Sequence, residues 1–201
     1  MLVLHAATIN LETFLPVTLT APGLSEEEFL ALCQKFPDAM LEYSCDGTVI
    51  IMPSTDPETG HRVALVNQRL MNWAELGAGM VTGPDAGFLL PNGARRSPDA
   101  AWFSKARWQQ TRAKGSSRFP VFTPEFVIEL RSPGDRIAPQ REKMQEYMHN
   151  GAELGWLIDP AQRTVTVYRP GREAETFMNP ESVAGEGPVE GFVLSMKGIF
   201  E

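Results

Sequence analysis

The sequence lacks the features that mark several large protein classes. It has only two cysteines, Cys33 and Cys45, without the spacing of a metal site, so we expect free thiols in a reducing compartment. No apolar run is long enough to span a membrane, and the N-terminus lacks the basic start and apolar core of a signal peptide. We therefore expect a cytoplasmic protein. A phosphate-cradling glycine loop and a G-x-S-x-G nucleophile elbow are also missing.

The charge of the chain is unevenly distributed. The net charge of −7 argues at first against a nucleic-acid partner. Residues 95–143, however, contain eleven basic and five acidic residues, a local charge of +6, which leaves −13 for the remainder. Such a basic block attracts phosphates, while the acidic remainder favours solubility. Charge alone fits a solvated loop equally well.

The length and the order of elements predict the fold class. The 201 residues are enough for one domain with a sizeable core. We expect residues 1–24 to form an N-terminal extension or an edge strand, and residues 25–201 to form a single domain. Strand-like and helix-like segments alternate along that domain, which predicts an α/β fold with a mixed central β-sheet flanked by helices.

Local signals place several of these elements. Ser25 to Glu28 has the pattern of a capping box, which begins a helix. Asp46-Gly47 lies between two strand-like runs and predicts a β-hairpin. A long amphipathic helix is predicted from residue 59 or 60 to about residue 76, and a second helix over residues 138–150.

The main candidate site combines two acids on predicted strands with a lysine on a predicted helix. Asp99 starts a weak strand, Glu129 lies near the end of the apolar run Phe126–Leu130, and Lys143 shares a helix face with Tyr147. Two acids hold a hard cation through oxygen ligands, and such a cation activates water and stabilises charge on phosphate. The set predicts magnesium-dependent phosphodiester hydrolysis. Because clustered acids repel without a cation, each should be replaceable without loss of stability.

The same residues carry a resemblance to a known family. Pro98-Asp99, followed by Glu129 two residues before a basic residue, resembles the PD-(D/E)XK nuclease superfamily. The stretches LEYSCDGTVIIMPS, SPDAAW, FVIELRSP, KMQEY and GWLIDP with VTVYRPG are similar to the Uma-two family of restriction-endonuclease-like proteins, which are abundant in cyanobacteria. The resemblance runs from about Ser25 to the C-terminus. It implies a restriction-endonuclease-like core, a magnesium-dependent endonuclease acting on DNA, Mn²⁺ as a substitute ion, and a homodimer.

The resemblance also implies roles for individual residues. Asp99, Glu129 and the backbone carbonyl of Leu130 would ligate the metal ion. The superfamily lysine would stand at position 131, where this chain has Arg131. Arginine cannot act as a base, although it can clamp a phosphate. In the family the working lysine is thought to lie on the following helix, which makes Lys143 the catalytic candidate here.

Four further residues are candidates for the site. Glu42 and His61 match positions where the family has those residue types. Glu42 is either a solvent-facing strand residue or a further carboxylate at or beside the metal. His61 is either a surface or capping residue or a phosphate contact at a helix N-terminus. Arg95 and Arg96, directly before Pro98-Asp99, suit a contact with DNA phosphate, as does Arg131.

Two other functions remain open from the sequence. The chain could be a non-catalytic binding or assembly module that keeps the nuclease fold, and Arg131 in the lysine position is the main support for this. It could also be a phosphodiesterase acting on small nucleotides. Whether Lys143 reaches the two carboxylates separates the first alternative from an enzyme, and the width of the pocket separates the second from a cleft for a duplex.

Overall fold

The structure is a computed structural model that describes residues 17–52, 54–77, 79–113, 115 and 119–201. Residues 1–16, which make up most of the predicted N-terminal extension or edge strand over residues 1–24, lie outside the described residues. The chain divides into two compact units, residues 1–54 and residues 55–201. The sequence boundary at residue 24 and the single domain after it stay predictions.

The first unit is built on an antiparallel sheet. Its described elements are β1 (Val17–Thr20), α1 (Glu26–Lys35), β2 (Met40–Tyr43) and β3 (Thr48–Met52). β3 pairs with both β1 and β2. Ser25 and Glu28 form the predicted capping box at the start of α1. Gly47 turns β2 into β3 at φ +89°, and a Cβ there would lie 2.7 Å from the Cα of Pro22, so the predicted hairpin requires glycine.

The second unit contains the larger sheet and three α-helices among its described residues. The helices are α2 (Pro57–Ala74), α3 (Lys105–Ala113) and α4 (Ile137–His149), with a short 3-10 helix at Gly187–Val189. The strands are β4 (Gly79–Thr82), β5 (Phe88–Leu89), β6 (Arg95–Arg96), β7 (Ala100–Ser104), β8 (Phe126–Leu130), β9 (Leu154–Asp159), β10 (Thr164–Tyr168), β11 (Glu175–Met178), β12 (Ser182–Ala184) and β13 (Val193–Ser195).

Six of these strands form one mixed sheet in the order β11-β10-β9-β8-β7-β4. β8 and β9 run parallel, and the other neighbours in this sheet run antiparallel. The parallel pair needs a crossover, and α4 supplies it between β8 and β9. β5 pairs with β6 and β12 with β13, both antiparallel.

Apolar side chains cover both faces of the six-stranded sheet. On one face α2 buries Val63, Val66 and Leu70 against the strands and the C-terminal segment. On the other face α4 buries Met144 and Tyr147. Each fully buried side chain of this size contributes about 1.5–3 kcal/mol. The predicted α/β fold, a mixed central sheet flanked by helices, is therefore confirmed.

Helix α2 begins two or three residues earlier than the sequence prediction. The carboxylate of Asp56 accepts hydrogen bonds from the backbone N–H groups of Glu58 and Thr59, both at 3.0 Å, and Pro57 occupies the first turn. Hydrogen bonds from Thr59 and from Glu58 lower the pKa of Asp56 below its ordinary value. The pair Asp56-Pro57 is therefore the start signal of this helix, two or three residues ahead of the position that the amphipathic pattern predicts.

Helix α4 packs against β9 of the sheet. A Cβ on Gly155 of β9 would lie 2.5 Å from Cε of Met144, so the end of the Met144 side chain fills the space that a side chain at position 155 would need. The helix starts and ends one residue before the predicted range of 138–150. The packing of α4 sets its Lys143 and Tyr147 face directly against the strands, where both residues are buried.

Candidate active site

Asp99, just before β7, and Glu129, near the end of β8, lie at the same end of these two neighbouring strands. The two strands pair antiparallel with Ala100 opposite Ile128, and one further step of this register sets Asp99 opposite Glu129. Residues opposite each other on neighbouring antiparallel strands lie on the same face. That face is the one under α4, because Ala101 and Val127, two residues away from each acid, belong to the α4 layer.

Helix α4 places a cation against one of these acids. The Nζ of Lys143 lies 2.8 Å from Oε1 of Glu129, and the hydroxyl of Tyr147 donates to the same oxygen at 3.1 Å. All three residues are buried, with 7%, 3% and 0% exposure for Lys143, Glu129 and Tyr147. Lys143 and Tyr147 are four residues apart and therefore share one face of α4. Both side chains contact the same carboxylate.

The second acid is held by the backbone and by a side chain outside the predicted set. Oδ2 of Asp99 accepts a hydrogen bond from the N–H of Leu130 at 2.7 Å, next to Glu129 in the chain. The backbone carbonyl of Asp99 accepts one from Nδ2 of Asn67 at 2.8 Å. Sequence reasoning missed Asn67. The available signal was an amide four residues after Val63, beside the apolar stripe of α2.

Arg131 takes a structural position at the end of β8. Its Nη1 lies 2.7 Å from Oδ2 of Asp159, and its Nε donates to the carbonyl of Asp135 at 3.0 Å. Asp159 is buried and also accepts a hydrogen bond from the backbone N–H of Gln162 in the turn that follows β9. Arg131 thus ties β8 to β9, and its contact with phosphate stays a prediction.

Arg96 is buried in an ion pair, and its predicted contact with DNA phosphate stays a prediction. It is 7% exposed, and its Nε lies 2.6 Å from Oε2 of Glu146 on α4. Asn92 donates to the other oxygen of Glu146 at 2.9 Å. These contacts hold β6 against the helix that carries Lys143. Arg95, its half-buried neighbour in β6, keeps its predicted role as a proposal.

The burial of Arg96 leads to a prediction about stability. Arg96→Ala leaves Glu146 without a nearby guanidinium in a mostly buried position, so the free energy of unfolding should fall by about 3 kcal/mol or more. Arg172→Ala is the control, since it removes an exposed arginine and should change unfolding little. Urea denaturation checks both variants. A loss for Arg96→Ala below about 1 kcal/mol would assign Arg96 to the surface after all.

Two further candidates have different surroundings. Glu42 in β2 is 2% exposed, which excludes the solvent-facing interpretation and leaves the role at or beside a metal as a proposal. The alternation of residues in β2 places Glu42 on the face opposite its apolar neighbours, but it does not show whether other residues cover that face. His61 is exposed in α2, where Asp56 already caps the helix N-terminus. Its contact with phosphate stays a prediction.

The chemistry of the acids suits a hard divalent cation. No group of three or more His, Cys, Asp or Glu residues with metal-binding geometry occurs among the described residues. Magnesium sites, however, use one or two carboxylates and keep several water ligands. Asp99, Glu129 and the carbonyl of Leu130 supply only oxygen donors, and the Asp99 carboxylate is already fixed beside Leu130 by a 2.7 Å hydrogen bond. The residues therefore fit magnesium.

The mixed sheet flanked by helices is shared with a solved structure. The crystal structure of a "putative nuclease belonging to DUF820" from Anabaena variabilis superposes with a TM-score of 0.73, covering 87% of this chain and 96% of that chain. At 23% identity this similarity shows a shared fold. The model of the family Uma2, described as "Putative restriction endonuclease", matches residues 26–197, and the chain belongs to this family. A search of curated proteins found no match.

These comparisons confirm the resemblance stated from the sequence. The family match covers most of the chain, beginning one residue after the predicted start at Ser25. The shared fold confirms the expected nuclease-like α/β core. The roles of the individual site residues, the metal ion and the homodimer stay proposals.

Proposed function

We propose that the chain is a metal-dependent endonuclease that hydrolyses DNA phosphodiester bonds, with Asp99, Glu129 and Lys143 as its catalytic residues. The contact of 2.8 Å between Lys143 and Glu129 carries this proposal. A lysine on the helix after β8 reaches the strand acid, as a relocated catalytic lysine must. Membership of a family described as restriction endonucleases supports the same chemistry.

Asp99, Glu129 and the carbonyl of Leu130 would hold Mg²⁺, with Mn²⁺ as a substitute. When bound, the ion would activate water and stabilise negative charge on the phosphate. The N–H of Leu130 orients Asp99 by donating to its Oδ2, and the hydroxyl of Tyr147 orients Glu129 by donating to its Oε1. Both acids are thus held before substrate binds, which lowers the cost of reaching the reactive geometry.

Lys143 would act on the substrate directly. Its ammonium has three N–H donors, so it can keep the contact with Glu129 and also donate to a phosphate oxygen or to the attacking water. Its burial at 7% exposure strengthens such a contact, because water screens charges weakly there. Lys143 would therefore orient the water or stabilise the phosphate as its charge increases.

The contacts of Arg131 weaken the alternative of a non-catalytic module. Arginine at the superfamily lysine position was its main support. In the structure Arg131 binds Asp159, while Lys143 occupies the place beside Glu129. The loss of lysine at position 131 is therefore compatible with a retained lysine in the site.

A cleavage assay tests the proposal. Supercoiled plasmid, single-stranded DNA and a small dinucleotide are each incubated with the protein and Mg²⁺, Mn²⁺ or EDTA. We expect cleavage of DNA with either metal ion and none with EDTA, and at least about a hundredfold loss in Asp99→Ala and in the isosteric Asp99→Asn. Cleavage that persists in both variants would refute this site. Cleavage of the dinucleotide alone would identify the small-nucleotide phosphodiesterase instead.

DNA as substrate and a homodimer belong to this proposal. Cutting both strands of a duplex needs two active sites or one site that acts twice, and a dimer provides two. Sedimentation at micromolar concentration tests the dimer, and a purely monomeric protein would refute this part of the proposal.

Within the described ranges, none of the helices combines the length and apolar character that a membrane-spanning segment needs.

A further inference from the structure

We propose that Asn67 of α2 is a positioning residue that fixes the backbone at Asp99 and thereby sets the affinity of the site for its metal ion. The metal part of this inference rests on the proposed function, whereas the effect on the backbone does not. Asn67 lies on the helix that covers the opposite face of the sheet from α4. It therefore acts on Asp99 from the side away from Lys143.

The hydrogen bonds of Asn67 define the orientation of its amide. Nδ2 lies 2.8 Å from the carbonyl oxygen of Asp99 and 3.0 Å from the carbonyl oxygen of Val63. Both neighbours are acceptors only, so the NH₂ group, and not the amide oxygen, must face them. The bond to Val63 anchors the side chain on its own helix, one turn back. The second bond spans the gap to the strand.

The register of the sheet explains why a side chain is needed here. β4 and β7 pair antiparallel, ending with Thr82 opposite Ala101. Two further steps would set Pro84 opposite Asp99, and proline has no N–H to donate to a strand carbonyl. Asn67 supplies the donor that the chain of β4 cannot give.

Hydrogen bonds therefore fix both the backbone carbonyl and the side-chain carboxylate of Asp99. Asn67 fixes its backbone carbonyl, and the N–H of Leu130 fixes its carboxylate. Without the amide of Asn67 the carbonyl at the strand end loses this donor, and the peptide plane can rotate. Rotation of that plane moves the carboxylate, and ligands must be held within about 0.5 Å for tight binding. Residues that orient metal ligands typically change affinity by about 10–100-fold when replaced.

The first experiment measures Mn²⁺ binding to the whole protein by calorimetry. Asn67→Leu keeps the approximate size without the donor, and Asn67→Asp sets an acceptor against two carbonyl oxygens. We expect each variant to bind Mn²⁺ at least about tenfold more weakly than the parent. Thr123→Val is the matched control, since it removes another buried side-chain donor to a backbone carbonyl, that of Asn150, near the opposite end of β8. Its affinity should equal that of the parent.

A second measurement needs no metal. Amide hydrogen exchange should be about fivefold faster at Leu130 in Asn67→Leu, because the N–H of Leu130 bonds to the carboxylate that Asn67 positions. The N–H of Val127, deeper in β8, should exchange at the parent rate. Thermal unfolding verifies that each variant is folded.

The two measurements separate the inference from the proposed function. Unchanged exchange at Leu130, or parent-like Mn²⁺ affinity in both Asn67 variants, overturns the positioning role while the nuclease proposal stands. If the parent protein binds no Mn²⁺ but exchange at Leu130 is faster in Asn67→Leu, Asn67 positions Asp99 as proposed, and the proposed metal site is refuted. Weaker binding together with faster exchange supports the inference. In the Asp99→Asn background, Asn67→Leu should then cause no further loss of affinity.

Discussion

Replacing Lys143 by alanine is expected to slow the cleavage step by at least about a hundredfold, the lower range for the loss of a group that transfers or donates a proton. Single-turnover cleavage at saturating enzyme and metal isolates that step from binding. Lys143→Arg should not restore the rate, because a guanidinium does not release its proton and is too bulky for the buried space beside Tyr147.

Control variants separate chemistry from folding and from DNA binding. Lys143→Met keeps the length of the buried stem and removes the charge, so its cleavage should be as slow as that of Lys143→Ala. Arg131→Ala leaves buried Asp159 without this guanidinium, so it should lower the free energy of unfolding, and in the folded variant it should weaken DNA binding and flatten its salt dependence. Arg131→Lys keeps the charge and should be better tolerated. Parent-like single-turnover cleavage by Lys143→Ala would end the relocated-lysine interpretation. If Arg131→Ala were the inactive variant, the catalytic cation would belong to the strand position.

The sequence predicted best those elements whose signals are local. The strand Phe126–Leu130 was placed at its observed bounds because β-branched residues and flanking turn formers define it within a few positions. The capping box at Ser25 and the hairpin at Gly47 were correct for the same reason. The start of α2 was missed since Asp56-Pro57 lies inside a run of turn formers that masks a cap.

The partners within the site depend on tertiary packing that one sequence does not display. Arg96 and Glu146 are fifty residues apart, and only the packing of α4 beside β6 turns a basic surface candidate into a buried ion pair. Asn67 and Asp99 meet across thirty-two residues because β4 stops before Pro84. The sequence pattern and the family resemblance proposed the two acids and the lysine as candidates, but neither indicated the residues that contact them.

Glu129→Ala is expected to destabilise the protein by about 3–5 kcal/mol, which reverses the expectation that removing a clustered acid costs nothing. That expectation considered only repulsion from Asp99. In the structure Glu129 forms a buried ion pair with Lys143 and accepts from Tyr147, so its loss leaves a buried ammonium without this counter-charge. Asp99 is half-buried, and its carboxylate accepts a hydrogen bond from the backbone N–H of Leu130, which the amide oxygen of Asn can also accept, so Asp99→Asn should unfold at nearly the parent denaturant concentration.

A double-mutant cycle tests whether the ion pair is the cause. Glu129→Gln with Lys143→Met removes both charges of this contact at similar volume, and this double variant should be more stable than Glu129→Gln alone, because the buried ammonium that Glu129 contacts is removed together with the carboxylate. Urea unfolding without metal ions gives all four free energies. Additive losses would contradict the coupling and show that Lys143 is stabilised by other groups. A protein that tolerates Glu129→Ala without loss would instead place the ammonium in water, and the buried contact that supports the nuclease proposal would have to be abandoned.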